Sequence, residues 1–420
     1  MEKCQIKLKS DITSEHDMMK TMKEKYRLGV IGAGARGESF ARQLFAGHPR
    51  ATLSGVCDLD SDRLAKFCNW CKLEKTPQYT DPAKFFADPG MDGVIITTPE
   101  FTHAEVATAA MQAGKAIYIE KPLAHTLADC YRIIDVQRKT GAVAYVGFNL
   151  RASIANQKLR DIVQQGTLGQ IVYVNGLEVL AVPHGAGFMR RFHRKQSQSG
   201  GLLNHKSCHD LDIMLWVVGH QHKVVRVSSF GGTNIFTPDK QPAKFCHECP
   251  KEIYQACPYK AKGGLHFPIG GEPNYHQGQP EIYGADNCVY SSDKDIVDNQ
   301  VVNLEWDNGT RGTYALQMFQ SAGRRELTFM GEKGTAELRD GLRVNLSPHG
   351  DTLEYSFAKR EGGHGGTDPS MIGRFVQALD TGKVADSSLE QGLAASVVAM
   401  KADEARLSGK VVTIRPDDYR

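Results

Sequence analysis

The sequence has no long apolar run and no excess of charge of one sign. No apolar stretch in its 420 residues approaches the roughly 18 residues that a membrane-spanning helix needs. Its 51 lysines and arginines are balanced by 48 aspartates and glutamates, which leaves a formal net charge of +3. This balance gives no electrostatic reason to expect binding to nucleic acid or to an anionic membrane. We therefore expect a globular protein with neither partner.

A secretory signal is also missing from the first segment, Met1–Lys25. The segment mixes acidic residues with lysines and has neither a continuous apolar core nor a small-residue cleavage site. It is predicted to be a polar extension, with a helix over Ser14–Lys25. Without such a signal, the 10 cysteines scattered through the chain indicate reduced thiols rather than a disulfide framework. We expect a cytoplasmic protein.

Short strands alternate with helical stretches from Arg27 to Phe148. The strands are continuously apolar and rich in β-branched residues, as in strands that are buried on both faces. The predicted strands are Arg27–Ile31, Leu53–Cys57, Gly93–Thr97, Ala116–Ile119 and Val143–Phe148, and the predicted helices are Arg36–Ala46, Ser61–Leu73, Phe101–Ala113 and Thr126–Lys139. Repeated β-α-β units require a parallel sheet with helices on both faces. Residues 26–150 are thus predicted to form a doubly wound α/β Rossmann domain.

The pattern changes after Arg151. A helix over Ser153–Gln165 is followed by longer segments in which apolar and polar residues alternate, as in strands buried on one face. The predicted segments are Ile171–Val179, Val224–Phe230, Val297–Trp306, Thr313–Met318, Glu326–Met330 and Leu342–Ser347, then helices Pro369–Asp380 and Leu389–Ser408 and a strand Val411–Ile414. Turns at Asp307-Asn308-Gly309 and Asp340-Gly341 favour hairpins.

Residues 151–420 are therefore predicted to form a C-terminal α+β domain with an open, mainly antiparallel sheet. A stretch rich in Pro, Gly and Cys, residues 236–287, is predicted to be an irregular insertion in it. Because few helices are left to cover the apolar face of that sheet, we expect a homodimer or homotetramer built through it.

A glycine-rich turn, Gly32-Ala33-Gly34-Ala35-Arg36-Gly37, follows the first strand and opens the first helix. In a dinucleotide site such glycines permit the tight turn, the approach of the pyrophosphate and close packing of helix on strand. Asp58, at the end of the second strand, is predicted to bind the adenosine ribose hydroxyls. Its charge disfavours a 2′-phosphate, so NAD is expected rather than NADP, although Arg36 and Arg63 weaken that preference. The alternative is an incidental glycine turn of an α/β fold.

Two further strand ends should lie beside this turn, because ligands bind outside the carboxyl ends of parallel strands. Thr97-Thr98-Pro99 with His103 follows one strand, and Glu120-Lys121-Pro122 follows the next. We expect both to lie at the nicotinamide half of the cofactor.

These motifs together resemble the Gfo/Idh/MocA family of glucose–fructose oxidoreductases and inositol dehydrogenases. The resemblance rests on the Rossmann turn, on T-T-P-x-x-x-H from Thr97 to His103 and on E-K-P at 120–122. It continues through Gly147–Arg151, Gly200–Leu203 and Cys208–Asp212 with Trp216, and it covers nearly all of Arg27–Arg420. It implies a Rossmann domain, a C-terminal domain whose sheet often forms the oligomer interface, and pyranose, inositol or related polyol substrates.

The resemblance also implies roles for individual residues. His209 matches the family's histidine after the glycine pair, usually the acid/base for the reacting hydroxyl, and Lys121 matches the lysine that orients or polarises this hydroxyl. Imidazole suits proton removal near neutral pH, and an ammonium group can stabilise alkoxide character. The candidate cofactor contacts are Gly32, Ala33, Gly34, Ala35, Arg36, Gly37, Asp58, Thr97, Thr98, Pro99, His103, Glu120, Lys121 and Asn149, and the candidate substrate contacts are Arg151, Lys206 and His364.

The sequence departs from the family at His205. Relatives usually carry an aspartate four residues before the catalytic histidine, so His205 is a third catalytic candidate and the proton relay is expected to differ. In an α-helix, His205 and His209 would lie on one face. Such a pair could bind a metal with His364 as third ligand, or His205 could simply hydrogen-bond the substrate or a neighbouring carboxylate.

Cys246-x-x-Cys249 and Cys257 have a spacing typical of structural zinc sites. A fourth ligand is not evident from the spacing, and His247, His266 and Cys288 are the candidates. The alternative is three reduced thiols packed beneath a loop. The glycine-rich stretch around His364 is predicted to cross the cleft mouth or to be a plain linker. The basic stretch Arg190–Lys195 is predicted to be a solvated loop, with contact to an anionic substrate as the alternative.

Three functions follow from these observations. The first is an NAD-dependent oxidoreductase that transfers a hydride between nicotinamide and a ring hydroxyl of a sugar, glycoside or inositol. The second is a glycoside-cleaving enzyme that uses bound NAD for transient oxidation at C3 followed by elimination. The third is a regulatory protein that senses NAD without turnover, which the presence of both Lys121 and His209 disfavours.

Overall fold

The computed structural model describes residues 23–260, 286–339, 341–347, 350–358 and 366–420. The helix predicted over Ser14–Lys25 therefore lies outside the described residues except for its last three positions. His266, Asp340 and His364 also lie outside them. Within these ranges, no helix is both long enough and apolar enough to cross a membrane.

The N-terminal sheet contains six strands that all run parallel. Their order across the sheet is β3-β2-β1-β4-β5-β6. The strands are β1 (Tyr26–Ile31), β2 (Ala51–Cys57), β3 (Gln78–Tyr79), β4 (Gly93–Ile96), β5 (Ala116–Ile119) and β6 (Ala144–Val146). The order reverses between β1 and β4, which is the place where a doubly wound sheet binds its ligand. The predicted Rossmann architecture is confirmed.

Helices cover both faces of this sheet. They are α1 (Ala35–Phe45), α2 (Ser61–Cys71), α3 (Pro82–Phe86), α4 (His103–Gln112) and α5 (Leu127–Thr140). Local chemistry sets their ends. Asp60 and Thr126 accept backbone N–H groups at the starts of α2 and α5, and Gly141 ends α5 in the left-handed conformation, as capping requires.

The C-terminal sheet contains nine strands in the order β14-β13-β12-β11-β7-β10-β9-β8-β15. They are β7 (Ile171–Ala181), β8 (Val224–Gly232), β9 (Asn299–Trp306), β10 (Arg311–Gln320), β11 (Arg324–Gly331), β12 (Gly334–Leu338), β13 (Leu342–Leu346), β14 (Thr352–Tyr355) and β15 (Val412–Thr413). Among the described strands of this sheet, β7 and β10 pair in parallel, and the other neighbouring pairs are antiparallel. The expected open, mainly antiparallel sheet is therefore confirmed, and the short strands β12 and β14 were missed.

The helices of the second half are α6 (Ile154–Gln164), α7 (Val182–Arg190), α8 (Gln196–Ser199), α9 (Cys208–Val218), α10 (Lys251–Ala256), α11 (Pro369–Thr381) and α12 (Leu389–Ser408). Every residue of α9 is buried. Helix α11 returns to the Rossmann half, where Met371, Ile372 and Phe375 share a core with Leu28, Val30 and Phe40. The C-terminal part of the chain thus helps to complete the N-terminal layer.

The stretch after Phe236 is more ordered than predicted. Its described part contains helix α10 and a 3-10 turn over Cys246–Glu248. Phe245 forms an antiparallel bridge with Asn287, which closes the base of the loop. Residues 261–285 lie outside the described ranges.

Candidate functional site

The glycine turn between β1 and α1 has the geometry of a nucleotide cradle. Gly32 has a φ of +103°, and a Cβ on it would lie 2.8 Å from the backbone of Thr97 and Thr98. A Cβ on Gly37 would lie 2.0 Å from the Gly32 oxygen, so helix and strand need this glycine to pack. Gly34 faces open space, with nothing within 4 Å of an added Cβ. Together with the N-terminus of α1, this open position leaves room for a pyrophosphate to approach the backbone.

Asp58 is buried beside this turn. Its Oδ2 accepts the Ala33 N–H at 2.8 Å and its Oδ1 accepts the Asp60 N–H at 3.0 Å. Arg63 lies between two carboxylates, with Nη1 at 3.3 Å from Asp58 and Nη2 at 3.2 Å from Asp60. The positive charge of Arg63, near the position expected for the adenosine, is therefore largely balanced by these two carboxylates.

Arg36 points elsewhere, contrary to the expectation that it weakens the preference for NAD. Its guanidinium lies 2.6 Å from Glu120 and 2.8 Å from Asp368, so it does not pair with Asp58. The Asn149 amide donates to the other Asp368 oxygen at 2.8 Å. Within the described residues, the buried Asn149 Oδ1 has no hydrogen-bond partner, which fits a position that an NAD amide group would satisfy.

His103 holds the two later strand ends together. One ring nitrogen lies 3.0 Å from the Pro122 oxygen, and the other lies 3.0 Å from the Thr98 oxygen. The ring is buried, and burial lowers its pKa below the usual range. The expected direct contact with cofactor is therefore corrected to a positioning role. Thr97 is fixed in the same way, since its hydroxyl donates to Ile31 and Gly32.

Lys121 joins the two halves of the chain. It follows β5, and its Nζ donates to the backbone oxygen of His205 at 3.1 Å. His205 lies in a π-helical turn over Leu203–Ser207 that runs directly into α9. Wider turns of this kind are frequent at functional sites. Lys121, His205 and His209 are thus brought to one region, with His209 buried in the first turn of α9.

The glycine pair before the π-helical turn allows this close approach. Gly200 and Gly201 have φ values of +70° and +90°. A Cβ on Gly200 would lie 2.5 Å from the His125 oxygen, and one on Gly201 would lie 2.1 Å from Asp403. A side chain on Gly200 would therefore clash with the backbone of the Rossmann half, whereas one on Gly201 would displace the Asp403 carboxylate of α12.

Two residues that the sequence did not single out surround His205. Its Nδ1 lies 2.5 Å from Glu100 Oε1, and its ring centroid lies 4.0 Å from that of His193. Burial lowers the pKa of both imidazoles well below the usual range, and for His205 the charges of Lys121 and Lys206 add to this effect. Burial therefore disfavours the charged form of both rings. The position of Glu100 directly after the T-T-P motif could have identified it from the sequence. His193 lies in the basic stretch that was predicted to be a solvated loop.

The predicted pairing of His205 with His209 around a metal is corrected. Among the described residues, the one group of at least three potential metal ligands within 4.8 Å of one another contains Glu100, His193 and His205. The intervening π-helical turn removes the α-helical spacing on which the expectation depended.

The expected substrate contacts Lys206 and Arg151 are instead buried in ion pairs. Lys206 Nζ lies 3.1 Å from Glu178, and burial lowers its pKa while Glu178 opposes that shift. Arg151 donates to Asp212 at 2.8 and 2.5 Å and to Gln391 at 2.6 Å. Each cation is thus neutralised by a buried carboxylate, and their contact with substrate stays a prediction.

The basic stretch 190–195 is not a solvated loop either. Arg190 and Arg194 are both buried. Arg194 lies 2.8 Å from Asp293, and burial lowers the pKa of Arg190.

The cysteines of the insertion collect around one small cavity of about 50 Å³ that Cys246, Cys249, Cys257 and Cys288 all line. Cys288 arrives there because its N–H donates to the Lys244 oxygen at 3.0 Å, next to Cys246. Burial raises the pKa of Cys249 and Cys288. Their sulfurs do not form a compact group of the kind found around His205, so the described geometry does not support the expected zinc.

Two family models match the chain. The first, described as an oxidoreductase family with an NAD-binding Rossmann fold, matches residues 26–148. The second, the C-terminal alpha/beta domain of the same oxidoreductase family, matches residues 160–414.

Individual relatives agree with these models. The oxidoreductase YteT of Bacillus subtilis is 25% identical over 354 residues, which are 76% of this chain and 81% of YteT. Inositol 2-dehydrogenase of Salmonella typhimurium is 27% identical over 253 residues, 59% of this chain and 71% of the relative.

Solved structures share the fold. Levoglucosan dehydrogenase in complex with NADH and L-sorbose has a TM-score of 0.71 at 19% identity, covering 93% of this chain and 99% of the other. A probable dehydrogenase from Thermotoga maritima has a TM-score of 0.66 at 22% identity, covering 92% and 98%.

Proposed function

The chain belongs to the Gfo/Idh/MocA oxidoreductase family, and from this we propose that it transfers a hydride between NAD and a ring hydroxyl of a sugar, glycoside or inositol. The observation that carries the proposal is the meeting of Lys121, from the end of β5, with the turn that bears His205 and leads to His209. The family's relatives named as inositol and levoglucosan dehydrogenases support this substrate class.

In the proposed site, Gly32–Gly37 would hold the pyrophosphate, Asp58 the adenosine ribose, and Thr97, Thr98, Pro99 and Asn149 would line the nicotinamide half. The chemistry that bound NAD would supply is acceptance of a hydride from the carbinol carbon. His209 takes the hydroxyl proton as the C–H bond breaks, because a carbonyl forms only if that proton leaves. The Lys121 ammonium stabilises the negative charge that develops on the hydroxyl oxygen.

A panel of sugars, inositols and glycosides tests this function. With NAD present, we expect stoichiometric NADH and the corresponding ketone or lactone from at least one ring alcohol, measured by absorbance and by chromatography of the product. Absence of NADH from every member, with NAD binding intact, would argue against a dehydrogenase.

The second candidate function is glycoside cleavage through transient oxidation at C3. It is favoured by one departure, namely that His205 with Glu100 replaces the aspartate usual in relatives. A C3 ketone acidifies the C2–H bond, so a base can take that proton as the aglycone leaves from C1. Water from solvent would then add across C1 and C2, and bound NADH would supply the hydride that reduces C3 again. The same panel separates the two functions, since cleavage releases aglycone without net NADH.

Asp58 predicts the choice of cofactor. The unmodified protein should bind NAD more tightly than NADP, because a buried carboxylate repels a 2′-phosphate. Asp58→Asn keeps an acceptor for the Ala33 N–H but removes the charge, and should narrow the ratio of the two dissociation constants by about tenfold, ~1.4 kcal/mol. Titration of both cofactors by fluorescence measures this. Asp60→Asn is the matched control, as it pairs with the same Arg63. Tighter binding of NADP by the unmodified protein would refute the assignment.

We also propose a homodimer or homotetramer that assembles through the outer face of the nine-stranded sheet. Phe230 and Val301 are cross-strand neighbours on β8 and β9, and their exposed fractions are 70% and 48%. Such a pair in water is costly unless a partner covers it. Sedimentation at micromolar concentration should give a multiple of the chain mass, and Phe230→Asp with Val301→Asp should shift it to the monomer. A monomeric unmodified protein would contradict the proposal.

A zinc ion at Cys246, Cys249 and Cys257 remains a prediction that rests on their spacing in the sequence alone. Elemental analysis of protein purified without added metal measures it. We expect at most one zinc per chain at this site, lost in Cys246→Ser; zinc that survives this substitution would contradict the ligand assignment.

A further inference from the structure

We propose that Glu100, His193 and His205 bind a divalent transition-metal ion, of the zinc class, at the junction of the two halves of the chain. The three side chains come from separate turns. Glu100 lies in the 3-10 turn after β4, His193 in the 3-10 turn Phe192–Arg194, and His205 in the π-helical turn. Each offers one ligand atom, and these atoms all lie within 4.8 Å of one another. This inference does not depend on the proposed substrate.

The donor chemistry suits such an ion. Each imidazole can offer the lone pair of one ring nitrogen. The Glu100 carboxylate supplies one negative charge. Two imidazoles and one carboxylate form a donor set common in zinc and non-haem iron sites, and three protein ligands leave at least one position open.

His193 supplies a second, independent observation. Its Nδ1 is buried and, within the described part of the chain, has no hydrogen-bond partner. A buried nitrogen that lacks a partner destabilises the folded state. A metal ligated by the triad would explain why this ring is placed here rather than an apolar one. The Glu100–His205 hydrogen bond alone does not explain the position of the His193 ring, because His193 takes no part in that bond.

Aromatic rings pack against the two histidines of the triad. The Phe188 ring lies 4.9 Å from the His205 ring and 5.3 Å from the His193 ring, between centroids. The Phe192 ring lies 3.9 Å from the His193 ring on another side. An apolar shell lowers the local dielectric constant and limits exchange of ligands with solvent.

The donor set predicts which ions bind. Lys121 and Lys206 act on His205 against a cation, but Lys206 is balanced by Glu178, and Glu100 opposes the effect of Arg191 and Lys121 on His193. Because only one of the three ligands is a carboxylate, hard ions such as Mg²⁺, which depend on several oxygen donors, should fail to bind. Zn²⁺, which gains more from imidazole nitrogen, should still bind.

The position of the triad predicts its effect on stability. A metal here would join Glu100 of the Rossmann half to two histidines of the C-terminal half. Because the three ligands converge only in the folded chain, Zn²⁺ should raise the melting temperature. His205 would then be a ligand rather than a base, and proton transfer would be left to His209.

The test uses the full chain, stripped with a chelator and titrated with Zn²⁺ by calorimetry and elemental analysis. We expect His193→Gln to bind one Zn²⁺ fewer per chain than the unmodified protein, and Glu100→Gln to bind at this site at least about tenfold more weakly. The melting temperature should rise with Zn²⁺ in the unmodified protein and rise less in both variants. Mg²⁺ should produce no heat of binding.

Controls keep the outcomes separate. His222→Ala removes a partly exposed imidazole paired with Asp307, away from the triad, and should leave the stoichiometry unchanged. Cys246→Ser separates this site from the cysteines. Retained NAD binding shows that each variant is folded. If the stripped protein takes up no Zn²⁺, or if folded His193→Gln binds as much as the unmodified protein, the triad is a hydrogen-bonded cluster and the proposal is wrong.

Discussion

Substitution of His209 by alanine should lower kcat by about 10²–10⁴-fold, equivalent to about 3–5 kcal/mol in the barrier. His209 is buried in the first turn of α9, in the segment whose preceding turn receives the Lys121 ammonium. Without an imidazole to take the hydroxyl proton, hydride loss would have to leave a protonated carbonyl. NAD binding should persist, because the glycine turn and Asp58 are on the Rossmann half. The measurements are kcat on the best substrate of the panel and a NAD titration.

Companion variants locate the effect. Lys121→Ala should also reduce turnover, with some loss of nicotinamide ordering, whereas His222→Ala should change neither quantity. His205→Asp restores the residue usual in relatives and tests whether this departure carries function. Turnover within about threefold of the unmodified enzyme in His209→Ala would place the proton transfer elsewhere, since general-base removal normally costs far more.

Much of the fold could be predicted from local pattern. The Rossmann strands are continuous apolar runs, and Ala116–Ile119 was predicted with the bounds that the structure has. The glycines of the first turn were predicted because their role is steric, and an added Cβ at Gly37 meets Gly32 directly. The short strands β12 and β14 were missed because β14 is exposed along most of its length and β12 begins at a glycine, so neither shows a clear alternation of apolar and polar residues.

The candidate site was harder to predict because its polar contacts join residues far apart in the chain. Glu100 meets His205 across 105 positions, and no spacing rule reaches that far. The π-helical turn at Leu203–Ser207 shifts the helical phase, so the α-helical prediction for His205 and His209 did not apply. Arg190–Lys195 has the composition of a solvated loop, yet Asp293 neutralises Arg194 from a distant segment.

The buried ion pair of Arg151 likewise joins residues that are far apart in the chain. Arg151→Met should lower the free energy of unfolding by about 3–5 kcal/mol, as expected when one partner of a buried ion pair is removed. The side chains of Arg151 and Asp212 are each only 1% exposed. Burial raises the pKa of Asp212, and Arg151 opposes that shift. Without the guanidinium, a buried carboxylate would be left uncompensated. Urea unfolding at neutral pH measures the loss.

Arg160→Met is the matched control for this prediction. Both guanidinium groups lie over the Trp216 ring, Arg160 at 4.8 Å and Arg151 at 5.5 Å from its centroid. Loss of the Arg160 contact should cost only about 0.5–1 kcal/mol.

In Arg151→Met, the folded-state pKa of Asp212 should rise further above its unfolded value, so the folded chain binds the extra proton. The free energy of unfolding of the variant should therefore fall as pH rises from the unfolded-state pKa of Asp212 to its folded-state pKa. On acidification, the difference in stability from the unmodified protein should shrink. Asp212→Asn in the same background should recover part of the loss, because it removes the buried charge. If Arg151→Met costs less than about 1 kcal/mol at neutral pH, the pair of Arg151 with Asp212 does not stabilise the fold as a buried ion pair should.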